Sequence, residues 1–124
     1  MSLPAAEILA NSWTFAAPGY DELFVPRFAP WTDDALAILS SHVVDLPAGA
    51  AHVPCCGPGQ ELPRVAQLLG TERPVIGVDL APGMIEFAQK RAAECGPHVS
   101  AVVGDAMMAP CVLPCTCPVS VLHL

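Results

Sequence analysis

The chain has 124 residues, 53% of them hydrophobic and 14% charged, which is typical of one domain with a packed core and excludes a disordered chain. Twelve acidic residues against five basic ones give a formal charge of -7, which argues against binding to a nucleic-acid backbone, because such binders need clustered cations. No apolar run could span a bilayer, and the first basic residue, Arg27, comes too late for a secretory signal or transit peptide. We therefore expect a cytoplasmic protein with reduced cysteines and without nucleic-acid or membrane partners.

Residues 1–31 concentrate the aromatic side chains. They contain both tryptophans, the single tyrosine and three of the four phenylalanines, namely Trp13, Trp31, Tyr20, Phe15, Phe24 and Phe28. Because Pro18, Pro26 and Pro30 interrupt the segment, we expect an irregular lid over a pocket, or a terminal arm over the core, instead of a regular helix throughout.

The chain beyond residue 31 alternates helical and strand patterns. Thr32, followed by two acidic residues, is a predicted N-cap for a helix that ends before Pro47. The other predicted elements are strands at 50–54, 75–79 and 99–103 and helices that open at Pro63 and Pro82 and stop at Gly70 and Gly96. This order predicts an α/β fold, a Rossmann-like parallel sheet with flanking helices. The sheet would be incomplete, with three strands, or four if residues 119–124 pair beside the first.

Glycines and carboxylates stand where the predicted strands end. Gly57 and Gly59 follow the first strand, and without a Cβ they let the backbone bend sharply and approach a ligand. Asp79 ends the second strand, where it could accept hydrogen bonds from ribose hydroxyls, and Asp105 follows the third, where an adenine amino group could donate. The pattern predicts a nucleoside-bearing cofactor. Leu62 replaces the last glycine of the dinucleotide fingerprint, which disfavours NAD.

Three stretches, Cys56-Gly57-Pro58-Gly59, the run from Gly77 to Met84, and Val103-Gly104-Asp105-Ala106, resemble motifs of class I S-adenosylmethionine-dependent methyltransferases. The resemblance covers residues 48–110 and implies S-adenosylmethionine as the cofactor. It implies that the glycine loop holds the methionine part, Asp79 the ribose, Met84 the adenine face and Asp105 the adenine edge. The cofactor-binding residues that it implies are Cys56, Gly57, Gly59, Asp79, Leu80, Met84, Asp105 and Ala106.

This sequence also departs from the family pattern. Val53 and Cys55 stand where the family usually has an acid and its first glycine. Few residues follow the third motif, so the expected organisation is a lid or arm at 1–31, a partial cofactor-binding domain at 32–110 and an atypical tail at 111–124. The cysteines of that tail have no familiar zinc spacing, so we expect no metal.

The expected function is that of an enzyme, an S-adenosylmethionine-dependent methyltransferase acting on a small molecule or a protein, in a truncated form with reduced or no activity. No catalytic residue is identified. One alternative is a non-catalytic methyltransferase-like fragment that acts by association through an exposed sheet edge. A weaker alternative is an NAD(P)-dependent oxidoreductase.

Overall fold

The computed structural model describes residues 4–108. Its main elements are α1 (Ala5–Gly19), a π-helical turn (Tyr20–Phe24), α2 (Val25–Ser40), β1 (Ala51–Pro54), α3 (Leu62–Leu69), β2 (Val75–Asp79), α4 (Pro82–Cys95) and β3 (Val99–Val103). Short 3-10 turns cover Val43–Asp45 and Ala106–Met108. The predicted fourth strand and the four candidate metal ligands of the tail, Cys111, Cys115, Cys117 and His123, lie outside the described residues.

The three strands form a parallel sheet in the order β1-β2-β3, which confirms the predicted fold class. The central strand is buried because it pairs on both sides, with Val75 opposite Ala51 on β1 and Val99 on β3. Within residues 4–108, the other edge of β1 pairs with no strand. All three strands run in one direction, so the segments that follow them gather at one end of the sheet.

Helices α3 and α4 pack together and cover the sheet. Leu62, at the start of α3, is fully buried, and its side chain reaches β2 at Gly77. A Cβ on Gly77 would lie 2.9 Å from Cys56 Sγ and 3.2 Å from Leu62, so the missing side chain lets the helix and the glycine turn approach the strand. As predicted, α3 ends at Gly70, which has a φ of +80°.

The prediction of an irregular N-terminal segment was wrong. Residues 5–40 are helical throughout, and Thr32 lies inside α2 instead of capping its start. Pro26 sits in the first turn of α2, where the missing N–H costs little, whereas Pro18 and Pro30 are accommodated within helices. The π-helical turn lies between Pro18 and Pro26, where the ordinary hydrogen-bond ladder is interrupted. The expected division between residues 31 and 32 therefore falls inside one helix.

In the described part of the chain, no helix has both the length and the apolar character that crossing a bilayer requires.

Candidate cofactor site

A cavity of about 320 Å³ opens where β1 and β2 end, and its volume is in the range of small-molecule sites. Four of the predicted cofactor-binding residues line it, namely Gly57, Asp79, Leu80 and Met84. Its other lining residues are Cys55 and, from the N-terminal helical segment, Leu9, Trp13 and Tyr20. The structure thus places the glycine turn, the acid at the end of β2 and part of the aromatic segment around one space.

Asp79 connects the glycine turn to β2. Its Oδ2 accepts a hydrogen bond from the Gly57 N–H at 2.9 Å, and its Oδ1 accepts one from the Ala81 N–H at 2.9 Å. Each carboxylate oxygen has a second lone pair with which it can accept from a ligand hydroxyl. Asp79 therefore holds the turn in place, and its remaining lone pairs can accept hydrogen bonds from a ligand in the cavity.

The two glycines of the turn have different roles. Gly57 has a φ of +54°, and a Cβ built on it meets no protein atom within 4 Å. Gly59 has a φ of +77°, and its Cβ would lie 2.8 Å from both Cα and Cβ of Ala88. The missing side chain of Gly59 therefore makes room for α4, and the contact of Gly59 with a ligand stays a prediction. Gly57 is the position at which an added side chain would enter free space beside the cavity.

The adjacent cysteines also differ. Cys55 has a φ of +52°, a conformation that costs free energy for a residue with a side chain, and it is exposed. Cys56 is 4% exposed, and its N–H donates to the Val78 carbonyl at 3.0 Å. Burial, with further contributions from the charges of Asp79 and Glu61, raises the pKa of the Cys56 thiol to about 12. Cys56 is thus a protonated core residue beneath the turn and does not line the cavity.

The predicted adenine-edge residues lie at the same end of the sheet but outside the cavity lining. The Gly104 N–H donates to the backbone carbonyl of Asp79 at 2.9 Å, which places the end of β3 beside the end of β2. Asp105 is exposed, and its Oδ1 accepts from the Met107 N–H at 2.9 Å, while Ala106 begins a 3-10 turn. The contact of Asp105 and Ala106 with adenine stays a prediction.

Helix α1 forms one wall of the cavity because it docks on the start of α4. The Gly83 N–H donates to Thr14 Oγ1 at 3.1 Å, and a Cβ on Gly83 would lie 2.8 Å from the Thr14 carbonyl oxygen. Ala17 is fully buried in the same contact, against Met84. The sequence did not reveal the contact between Thr14 and Gly83, since 69 residues separate them and no local pattern marks it.

Arg91 of α4 joins the π-helical turn to the glycine turn. Its Nη1 lies 2.7 Å from Asp21 Oδ1 and also donates to the Pro58 carbonyl at 2.7 Å. The positive charge of the guanidinium strengthens both interactions, and its several N–H groups allow it to bind the carboxylate and the carbonyl at the same time. The sequence analysis gave Arg91 no role, so this link was missed as well.

The aromatic side chains of the N-terminal helices form a continuous row that begins at the cavity. Tyr20, which lines the cavity, meets Trp13 edge to face at 5.9 Å and stacks on Phe24 at 5.7 Å. Phe28 and Trp31 continue the row. An aromatic border of this kind provides apolar contact surface beside the cavity.

The family described as "Methyltransferase domain" matches residues 54–117, just over half of the chain. The chain belongs to the class I S-adenosylmethionine-dependent methyltransferase family. In sequence, this methyltransferase-family chain is 36% identical over 92 residues to aklanonic acid methyltransferase DauC of Streptomyces sp. (strain C5). The aligned part is 70% of this chain and 38% of DauC.

Solved structures show the same fold. A complex of DhpI with S-adenosylhomocysteine (SAH) superposes with a TM-score of 0.64 at 21% identity, covering 85% of this chain and 47% of DhpI. Geranyl diphosphate C-methyltransferase from Streptomyces coelicolor A3(2) gives 0.59 at 20% identity, covering 85% of this chain and 49% of that enzyme. The methyltransferase-family chain thus spans less than half the length of these relatives. S-adenosylmethionine is the cofactor of this family.

Proposed function

We propose that the chain binds S-adenosylmethionine in the cavity beside Gly57 and Asp79 and serves methyl transfer to a small-molecule acceptor. The observation that carries the proposal is the pair of hydrogen bonds at Asp79, which brings an acid and a side-chain-free turn to one cavity. Vicinal ribose hydroxyls are suitable donors to the remaining lone pairs of Asp79. Leu80 and Met84 offer apolar surface to a base.

The role of the protein in such a reaction is mainly to position the reactants. S-adenosylmethionine supplies a methyl group already activated by a sulfonium, so in-line approach of a nucleophile contributes much of the catalysis. Met84 and Ala17 pack where α1 docks on α4, and this packing fixes the wall of the cavity that carries Trp13. Asp79 would orient the nucleoside, and the apolar lining would exclude water from the reacting centre.

The acceptor class rests on the charge and shape of the described residues. A formal charge of -7 disfavours a nucleic-acid acceptor. A cavity of about 320 Å³ with an aromatic border at Trp13 and Tyr20 is suited to compact ligands with apolar surface. DauC and the geranyl diphosphate enzyme are named for small-molecule acceptors, which supports the same class.

A second candidate is cofactor binding without turnover. The chain covers 38% of DauC and 47% of DhpI, so cofactor binding by the described residues is proposed separately from turnover. The two candidates share the same cofactor cavity and differ only in whether methyl transfer follows.

Calorimetric titration of SAH into the purified chain tests the cofactor site. We expect binding by the wild type and at least about tenfold weaker binding by Asp79→Asn, because the charged acceptor for the ribose hydroxyls is lost. Asparagine keeps one oxygen for the turn, which makes it a gentler change than alanine. Asp45→Asn, at an exposed site in a 3-10 turn, is the matched control and should bind as the wild type does.

Absence of heat at millimolar SAH would reject the cofactor site, and equal affinity in Asp79→Asn would reject the ribose assignment. A parallel thermal-shift measurement with NADH separates the oxidoreductase alternative, since only a nicotinamide-binding protein would be stabilised by NADH and not by SAH.

A further inference from the structure

Two aromatic side chains of the N-terminal helical segment, Trp13 and Tyr20, belong to the wall of the cofactor cavity. Their ring planes are nearly perpendicular, at 89°, and their centroids lie 5.9 Å apart. Trp13 is the end member of the aromatic row, and 47% of its surface is exposed. A large aromatic surface that stays open on the wall of a cavity is available to a ligand.

The two rings are held in place by their neighbours. Thr14, the residue after Trp13, is tied to α4 because its Oγ1 accepts the hydrogen bond from the Gly83 N–H. Tyr20 is partly buried and stacks on Phe24, with their ring planes 21° apart. Both rings are therefore positioned before a ligand binds, which lowers the entropy cost of recognition.

The charges around the cavity favour a positively charged ligand group. Among residues 4–108, the cavity lining contains one charged side chain, that of Asp79, and no lysine, arginine or histidine. Asp21, which follows Tyr20, is paired with Arg91, so these two charges offset each other. The face of an aromatic ring is also negative, because its π electrons form a quadrupole. The carboxylate and the ring faces therefore attract a ligand group of the same sign, a cation.

We propose that Trp13 and Tyr20 recognise the positive sulfur of S-adenosylmethionine by cation–π contacts and so select the charged cofactor over neutral SAH. This inference rests on the proposed function, in which Asp79 binds the ribose and the Gly57 turn binds the methionine part. Because the sulfur joins these two parts covalently, it falls in the section of the cavity beside Gly57 and Asp79. A ring face attracts a cation within about 6 Å of its centroid, and a cavity of about 320 Å³ keeps its contents near the walls.

Selection by charge separates the methyl donor from its product. In methyl transfer, a lone pair of the acceptor forms the new bond to the methyl carbon, and the electron pair of the broken carbon–sulfur bond stays on sulfur. The positive charge passes to the acceptor, which releases it as a proton to water where its nucleophile carries one. SAH is neutral at sulfur and loses the attraction of both rings. Trp13 and Tyr20 thus retain the methyl donor and favour departure of the product.

Calorimetric titration of S-adenosylmethionine and of SAH into the wild type and its variants tests the proposal. The quantity compared is the ratio of the two dissociation constants. The wild type should bind S-adenosylmethionine more tightly than SAH. Trp13→Leu should reduce this preference about threefold to tenfold, because leucine keeps an apolar side chain but has no π face. Trp13→Phe, with a smaller π face, should retain part of the preference.

Trp31→Leu is the matched control, because Trp31 belongs to the same aromatic row but does not line the cavity. It should leave the ratio of dissociation constants unchanged. None of the three substitutions alters the net charge, so long-range electrostatics cannot account for a difference between them. The same ratio in Trp13→Leu as in the wild type, equal affinity of the wild type for both ligands, or an equal loss of preference in Trp31→Leu would each overturn the proposal.

Trimethylsulfonium tests the two rings without the rest of the cofactor. In an NMR titration of the wild type, this cation should shift the indole N–H signal of Trp13 and leave that of Trp31, the other tryptophan, in place. A shift of both signals, or of neither, would reject the cation site, also where Trp13→Leu does not fold. If neither S-adenosylmethionine nor SAH binds, the proposed function fails, and this titration decides the cation site by itself.

Discussion

Alanine substitutions at Gly57 and Gly59 should differ in their effects: Gly59→Ala should mainly lower stability, and Gly57→Ala should mainly weaken cofactor binding. Both residues have positive φ, which costs a residue with a Cβ about 1–2 kcal/mol. At Gly59 the new Cβ also lies 2.8 Å from the backbone of Ala88, and overpacking of this kind adds about 1–3 kcal/mol. At Gly57 the Cβ meets no protein atom and adds no such cost. Gly59→Ala should therefore destabilise the fold by about 2–5 kcal/mol and Gly57→Ala by only about 1–2 kcal/mol.

Urea unfolding and SAH calorimetry, carried out on both variants, measure the two effects separately. Gly57→Ala should stay folded but bind SAH at least about tenfold more weakly, because its methyl group enters the space beside the cavity. Gly59→Ala should unfold at lower urea, while the molecules that stay folded keep most of their affinity. Equal destabilisation of the two variants, or normal SAH binding by Gly57→Ala, would refute the assignment of these roles.

Three further predictions concern other contacts around the site. Arg91→Met should lower the free energy of unfolding by about 1–3 kcal/mol, because the ion pair with Asp21 and the hydrogen bond to Pro58 are lost. It should also weaken SAH binding although Arg91 does not line the cavity; urea unfolding and calorimetry measure the two effects, and unchanged values would contradict the prediction. Cys55→Gly should raise the urea midpoint by an amount equivalent to about 0.5–1 kcal/mol, since glycine relieves the positive φ, and a lower midpoint would show that the thiol makes a compensating contact. Burial raises the pKa of Cys56 from 9.0 to about 12, so in this range the folded state keeps a proton that the unfolded state loses, and the free energy of unfolding should fall as pH rises from about 9 to about 12. The decrease should be shallower in Cys56→Ala, and identical slopes of free energy against pH in the two proteins would refute this cause.

The sequence was sufficient to predict the sheet and the helices that follow its strands. Short apolar strands alternate with helices that open at Pro63 and Pro82 and stop at Gly70 and Gly96, and these signals depend on neighbouring residues only. The positions of Gly57 and Asp79 at one end of the sheet also follow from parallel pairing. Local rules were adequate here because each signal lies within one turn of the element that it bounds.

Local rules failed where distant parts of the chain decide the structure. Prolines were interpreted as breaks at the N-terminus, but one of them occupies a first helical turn and a π-helical turn accommodates the change in hydrogen bonding. The docking of Thr14 on Gly83 and the link from Asp21 to Arg91 each join residues far apart in sequence, so no window on the sequence includes both partners. The close approach of Gly59 to Ala88 was missed for the same reason, since Ala88 is on another helix.

The edge of β1 that pairs with no strand among residues 4–108 bears on the predicted association of the chain. Within residues 4–108 this strand pairs on one side only, and unpaired strand edges favour contact with another chain. Association through this edge stays a prediction, as do the cytoplasmic location and the expected absence of a metal. Sedimentation of the purified chain at several concentrations measures the first of these directly.

The crystal structure of the chain grown with SAH tests the central claim most directly. We expect the ribose hydroxyls within hydrogen-bonding distance of the Asp79 carboxylate, the methionine part against the Gly57 turn and the base beside Leu80 and Met84. A nucleoside bound elsewhere on the sheet, or bound at this end with its ribose turned away from Asp79, would contradict the account.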